Sequence, residues 1–126
     1  MKMVITMKSE HLIQNEIRVA LSSADSVVFR TNAGTFYQGK RVYSKEFNQW
    51  VLINLRPVAG LPEGFSDLIY IGKNNVAFIE TKNFTGKARK AQDNFIKRMT
   101  ELGHKAGIAR SVEDAKAIIN GEILNV

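Results

Sequence analysis

The sequence predicts a mixed α/β fold, a mixed sheet flanked by helices. Three observations carry that prediction. Apolar residues recur at helical spacing near both ends and again over 87–102. Short β-branched and aromatic runs lie between them, and the order reads helix, three or four strands, helix, strand, helix. No repeat, low-complexity run or Gly/Ser linker interrupts the 126 residues, so they read as one domain, 1–126.

Residues 10–23 predict a helix, with Leu12, Ile13, Ile17, Ala20 and Leu21 recurring on one side behind Ser9 as N-cap. Ser26 to Thr31 is a short strand. Residues 32–48, polar with two glycines and interleaved aromatics, read as a long loop or an irregular hairpin. Trp50 to Leu55 is a second strand, and Arg56 to Gly64, which holds both prolines, is a connection. Phe65 to Ile71 and Val76 to Lys82 are strands joined by the turn Gly72 to Asn75, a plausible hairpin. Lys87 to Leu102 carries the clearest helical stripe, Ala88, Ala91, Phe95, Ile96, Met99 and Leu102, and Gly103 can end it. Ala106 to Ala109 is a short strand. Ser111 caps a final helix, with Glu113 and Asp114 in its first turn, where the helix dipole favours them.

Composition narrows the function. A hydrophobic share of 44% excludes a disordered tail. The absence of cysteine excludes a disulfide scaffold and any Cys-based zinc site. No window holds an unbroken apolar run, which predicts neither a signal peptide nor a membrane span, and hence a cytoplasmic protein. The net charge of +6 is local. Between Lys82 and Arg110 eight basic residues face only Asp93 and Glu101, while the remainder of the chain is balanced. Such a field draws a polyanion, most commonly nucleic acid, although a solvated helix face gives the same composition.

Three polar residues or groups stand where the pattern wants apolar ones. Glu16 falls between Leu12, Ile13 and Ala20 on the first helix, either inside the stripe or at its edge reaching water. On the fourth strand, alternation puts Val76, Phe78, Glu80 and Lys82 on one face, and Asp67 lies on the strand before it. Adjacent strands are about 4.8 Å apart, so Asp67 and Glu80 can converge if the register allows. Two carboxylates that close repel unless a cation neutralises them, and Mg²⁺ or Mn²⁺ suits an all-oxygen site. Lys82 is then placed to orient a water or to offset charge on a phosphate. Gln92 lies in the stripe of the 87–102 helix, where a buried amide needs partners.

With these pieces in place the chain resembles the VRR-NUC (virus-type replication-repair) nuclease domain of the PD-(D/E)XK superfamily. The resemblance runs from Glu16 to about Ala115. It rests on Gly64-Phe65-Ser66-Asp67-Leu68, Phe78-Ile79-Glu80-Thr81-Lys82, Gly86-Lys87-Ala88-Arg89-Lys90-Ala91-Gln92 and the Gly107 to Ala115 segment. Ser66 stands where the superfamily name has Pro. The resemblance implies a restriction-endonuclease-like αβββαβ core and a compact stand-alone member of the kind found in bacterial viruses, in which case the compartment is the host cytoplasm. It implies catalytic roles for Asp67, Glu80, Lys82 and Gln92, and metal-ligand roles for Glu16, Asp67, Glu80 and Thr81, with Mg²⁺ or Mn²⁺ as cofactor. It implies a symmetric homodimer acting on branched DNA.

The expected reaction is hydrolysis of a DNA phosphodiester bond. Lys87, Arg89 and Arg98, which flank the helix stripe, are the favoured phosphate contacts, while Lys90 and Lys97 lie roughly opposite it. In the 32–48 segment Tyr37, Lys40, Arg41, Tyr43 and Lys45 suit unstacked bases or backbone, and also suit simple loop packing. The alternative from a different class is a nucleic-acid-binding module without catalysis. The basic segment serves that reading equally well, but it leaves Asp67, Glu80 and Lys82 unexplained. His11 and His104 read as surface residues.

Overall fold

A computed structural model describes residues 7–122. Nine elements follow in chain order: α1 (Glu10–Leu21), β1 (Val27–Arg30), β2 (Thr35–Ser44), β3 (Gln49–Ala59), β4 (Leu68–Ile71), β5 (Val76–Thr81), α2 (Lys90–Glu101), β6 (Lys105–Ala109) and α3 (Val112–Ile119). The caps follow the sequence. Ser9 Oγ accepts from Leu12 N–H at 3.1 Å, and Ser111 Oγ accepts from Asp114 N–H at 3.1 Å. Gly103, at φ +88°, closes the end of α2, where the His104 N–H donates back to the Met99 carbonyl.

Four strands form one mixed sheet in the order β1-β4-β5-β6. The first two pairings are antiparallel and the last, β5 with β6, is parallel. Ile13, Ile17 and Leu21 of α1 pack with Ala115 and Ile118 of α3 over Val28, Leu68, Ala77, Ile79 and Ala109 of the sheet. The opposite face of β5 carries Phe78, which meets Phe65 and Phe95 in a triangle of rings 4.5 to 5.9 Å apart and so seats α2 there. Leaving out β2 and β3, the order is αβββαβ with a final helix, a mixed sheet flanked by three helices. Among the described residues no helix is long and apolar enough to cross a membrane.

The structure departs from the sequence reading at 32–59. The expected loop or irregular hairpin and the expected second sheet strand are two arms of one long antiparallel hairpin, a sheet of its own. The 50–55 strand therefore does not join the main sheet, and Arg56 to Ala59 continues β3 rather than connecting elements. Pro57 is tolerated because a two-stranded ribbon has an outer edge, where a missing N–H leaves no rung unmade. Opposite Gly39 the register shifts, and Asn54 takes φ +55°, a bulge that turns the ribbon. The helix expected from Lys87 begins at Lys90.

Candidate active site

Register makes the site. Leu68 pairs with Ile79, so the next position along brings Asp67 opposite Glu80. The Asp67 N–H donates to Glu80 Oε2 at 3.2 Å. In return Asp67 Oδ2 accepts from the Thr81 N–H at 3.0 Å and from Thr81 Oγ1 at 2.8 Å. The two carboxylates are thus locked side by side at the ends of β4 and β5. Lys82 continues β5, its N–H donating to the Ala109 carbonyl at 3.1 Å, and its buried Nζ lies 4.0 Å from Glu80 Oε1.

Gln92 joins this cluster from α2, which packs on the Phe78 face that Glu80 shares. Its Nε2 donates to Glu80 Oε1 at 2.6 Å and its Oε1 accepts from the Arg89 N–H at 2.8 Å. One buried amide therefore closes the first turn of α2 and ties it to the carboxylate. The approach needs Gly64. It sits at φ +92°, and a Cβ there would lie 2.5 Å from the Ala91 carbonyl oxygen, so only glycine lets the chain pass under α2 on its way to Asp67.

Glu80 is 2% exposed. Burial, then the neighbouring Asp67 charge, push its pKa up to about 8, and Lys82 offsets only part of that. A carboxyl held this way is protonated near neutrality unless a cation takes the proton's place. The donors are all oxygen, and Mg²⁺ commonly uses one or two carboxylates and keeps waters for the rest. Asp67 and Glu80 fit such an ion. Among the described residues no three His, Cys, Asp or Glu side chains converge, so the site offers this carboxylate pair and the amides around it.

The structure does not bring Glu16 to that pair. Its carboxylate bonds Lys8 Nζ at 3.0 Å and its side chain is 35% exposed. The reason is the centre of the α1 stripe. Leu12 is 46% exposed and Ala20 is exposed too, so the buried line runs through Ile13, Ile17 and Leu21. At roughly 100° per residue this turns Glu16 away and brings Glu10 and Gln14 toward the sheet. Gln14 Nε2 reaches Thr81 Oγ1 at 3.4 Å, and its Oε1 is buried with no partner among the described residues. A Cβ built on Gly86 would lie 3.4 Å from Glu10 Oε2 and 3.3 Å from Lys82 Cδ, so Glu10 borders the lysine stem. Only the true stripe centre, invisible without knowing that Leu12 faces water, would have singled out these two residues.

No family model matches the chain, and no curated protein matches it.

A cavity of about 140 Å³ opens beside the pair, lined by Gln14, Arg30, Asp67, Arg89 and Gln92 among others. Of the expected phosphate contacts, Arg89 stands at this opening, paired at 3.5 Å with exposed Glu63. Arg30, which sequence reasoning missed, stands there too. Lys87 is exposed just before α2, whereas Arg98 lies near the far end of the helix beside Glu101 at 3.6 Å. Lys40 and Arg41 are on the hairpin, where Arg41 covers Trp50 at 4.2 Å. Arg110 is structural: its guanidinium donates to the carbonyls of Asn83 and Gly86 and holds the loop after Lys82 closed.

Proposed function

We propose that this protein is a divalent-metal-dependent nuclease that hydrolyses DNA phosphodiester bonds, with branched DNA as its substrate class. The observation that carries the reading is the Asp67–Glu80 pair, with Glu80 buried beside Lys82 and raised to about 8 and Asp67 half-buried against it. A fold that keeps two carboxylates in contact against this opposition is built to receive a cation. Asp67 and Glu80 would hold Mg²⁺ or Mn²⁺, which when bound would supply an acidified water and a counter-charge for the phosphate. Thr81 holds Asp67 in place through its N–H and Oγ1, and Gln92 holds Glu80. Lys82, fixed at the end of β5, would offset the charge that develops on the phosphate. Arg30 and Arg89 at the opening grip backbone phosphates without reading sequence.

A binding module without catalysis would use the same arginines, but it gives no reason for a buried glutamate paired with an aspartate beside a buried lysine. Incubation of labelled four-way junction, flap, duplex and single strand with Mg²⁺ or Mn²⁺, resolved on a denaturing gel, separates the two readings. Cleavage of the junction that stops with EDTA is expected. Glu80→Gln and Lys82→Ala should each lower the rate on the order of 10²–10³-fold while junction binding persists. Binding with no cleavage under any metal, or full activity in either variant, removes the nuclease assignment.

A further inference from the structure

The loop between β5 and α2 holds an aromatic ring out in water. Phe84 is 83% exposed, more than any other large apolar residue among those described. The loop itself is fixed. Asn83 Oδ1 accepts from the Gly86 N–H at 2.7 Å and from Thr85 Oγ1 at 3.4 Å. Arg110 Nη1 donates to the carbonyls of Asn83 and Gly86, one on either side of Phe84. Gly86 folds back on the site, since a Cβ there would lie 3.3 Å from Lys82 Cδ. An unpacked phenyl ring is thus held in a set place two residues from Lys82. A cavity of about 400 Å³ opens beside it, lined by Met7, Lys8, Ile13, Phe84 and Arg110. Along the loop the charge is of one sign. Lys82, Lys87, Arg89 and Lys90 fall within residues 81–92, and no Asp or Glu does. Lys87, Arg89 and Lys90 are exposed. Glu10 meets the loop at Gly86, beside the lysine stem.

We propose that Phe84 is a specificity-determining residue, whose ring stacks on an unpaired base beside the scissile phosphate. The proposal rests on the nuclease reading for where that phosphate lies, and it narrows the branched substrates to those with unpaired bases at the branch, such as a flap. Every base has a π-face, so stacking on a ring selects for structure and not for sequence. Inside a continuous duplex both faces of each base are covered by its neighbours, and the ring finds no partner. At a flap a base leaves the stack and its face is free. The cations favour this occupant over an apolar protein surface. Such a surface would take Lys87, Arg89 and Lys90 out of water with nothing to pair them, whereas a nucleic-acid backbone brings a phosphate to each. Because Arg110 and Asn83 order the loop beforehand, little freedom is lost when a base docks.

Binding in EDTA, where nothing is cut, tests it with three DNAs: a flap, the same flap with abasic nucleotides at the branch, and a duplex. Phe84→Ala should weaken flap binding about tenfold and leave duplex binding unchanged. Abasic nucleotides keep the phosphates and remove the base faces, so they should weaken the unaltered protein to the same extent. Combining the variant with the abasic flap should then add no further loss. Phe84→Trp should restore flap binding, and Tm should not move in either variant because the ring is exposed. Unchanged flap binding by Phe84→Ala overturns the proposal and leaves the ring to a protein partner. An equal loss on flap and duplex overturns it too, as do losses from the variant and the abasic flap that simply add. Cleavage in Mg²⁺ is read separately. If Phe84→Ala cuts flap and duplex in the same ratio as the unaltered protein, the nuclease reading stands and this proposal falls. If nothing is cut but flap binding still depends on Phe84, the base contact stands and the nuclease reading falls.

Discussion

On β5 a glutamate with almost no surface in water lies between Ile79 and Thr81. On β3, Leu52 and Leu55 leave half or more of theirs exposed. The first region buries what water should keep, and the second exposes what the core should keep. Each exception has a cost, but of a different kind. The pair is over-determined by Thr81, Gln92 and the Asp67 N–H, so the protein holds two carboxyl groups rigidly side by side where both could not stay ionised. The hairpin is held by its own ladder, so its apolar face is merely left open. Departures from the ordinary pattern of burial are where a binding role should be tested, and the sign of the departure says what to test for: a cation beside the buried glutamate, an apolar surface on the open ribbon.

The largest effect that sharpens this contrast comes from pH. Between pH 4.5 and about 8 the native Glu80 carboxyl keeps a proton that the unfolded chain has released. Its contribution is complete below pH 4.5 and is lost as pH rises through about 8, at up to about 1.4 kcal/mol per pH unit across that window. Without metal, Tm should therefore fall from pH 5 to pH 8. Glu80→Gln should flatten that slope and be the more stable protein at pH 8, and Mg²⁺ or Mn²⁺ should restore the unaltered protein there. Equal slopes for the two proteins would mean that the pair is not held against repulsion, and the contrast with the hairpin would break.

A smaller effect belongs to Gln92. Gln92→Leu leaves Glu80 Oε1 without its amide donor and the Arg89 N–H without its acceptor, and should cost about 1–3 kcal/mol in urea unfolding. The smallest belongs to Arg89. Its pair with Glu63 is exposed, so Arg89→Ala should barely move Tm. If Arg89 grips a phosphate, the slope of log affinity against log salt for junction binding should shrink by about 0.7–0.9. An unchanged slope would leave Arg89 a solvated residue.

What the sequence disclosed follows the same divide. Asp67, Glu80 and Lys82 were legible because a period of two and a four-residue turn almost fix which positions meet. Gln92 was legible because an amide inside a strong apolar stripe must find a polar partner across the packing surface. The hairpin was not, because Gly39, Pro57 and a bulge at Asn54 look like a loop when nothing says that the ribbon stands apart from the main sheet. On α1, two exposed apolar residues, Leu12 and Ala20, pulled the apparent stripe toward Glu16 and away from Glu10 and Gln14.

The rung between the Lys82 N–H and the Ala109 carbonyl has a temporal meaning. Asp67 and Glu80 meet through a short local hairpin, whereas Lys82 is fixed only when the parallel strand β6 returns from beyond α2. Local pairings close early and distant ones late. A chain leaving the ribosome thus brings its two carboxylates together while its lysine is still unanchored, and the site is completed only by its last third.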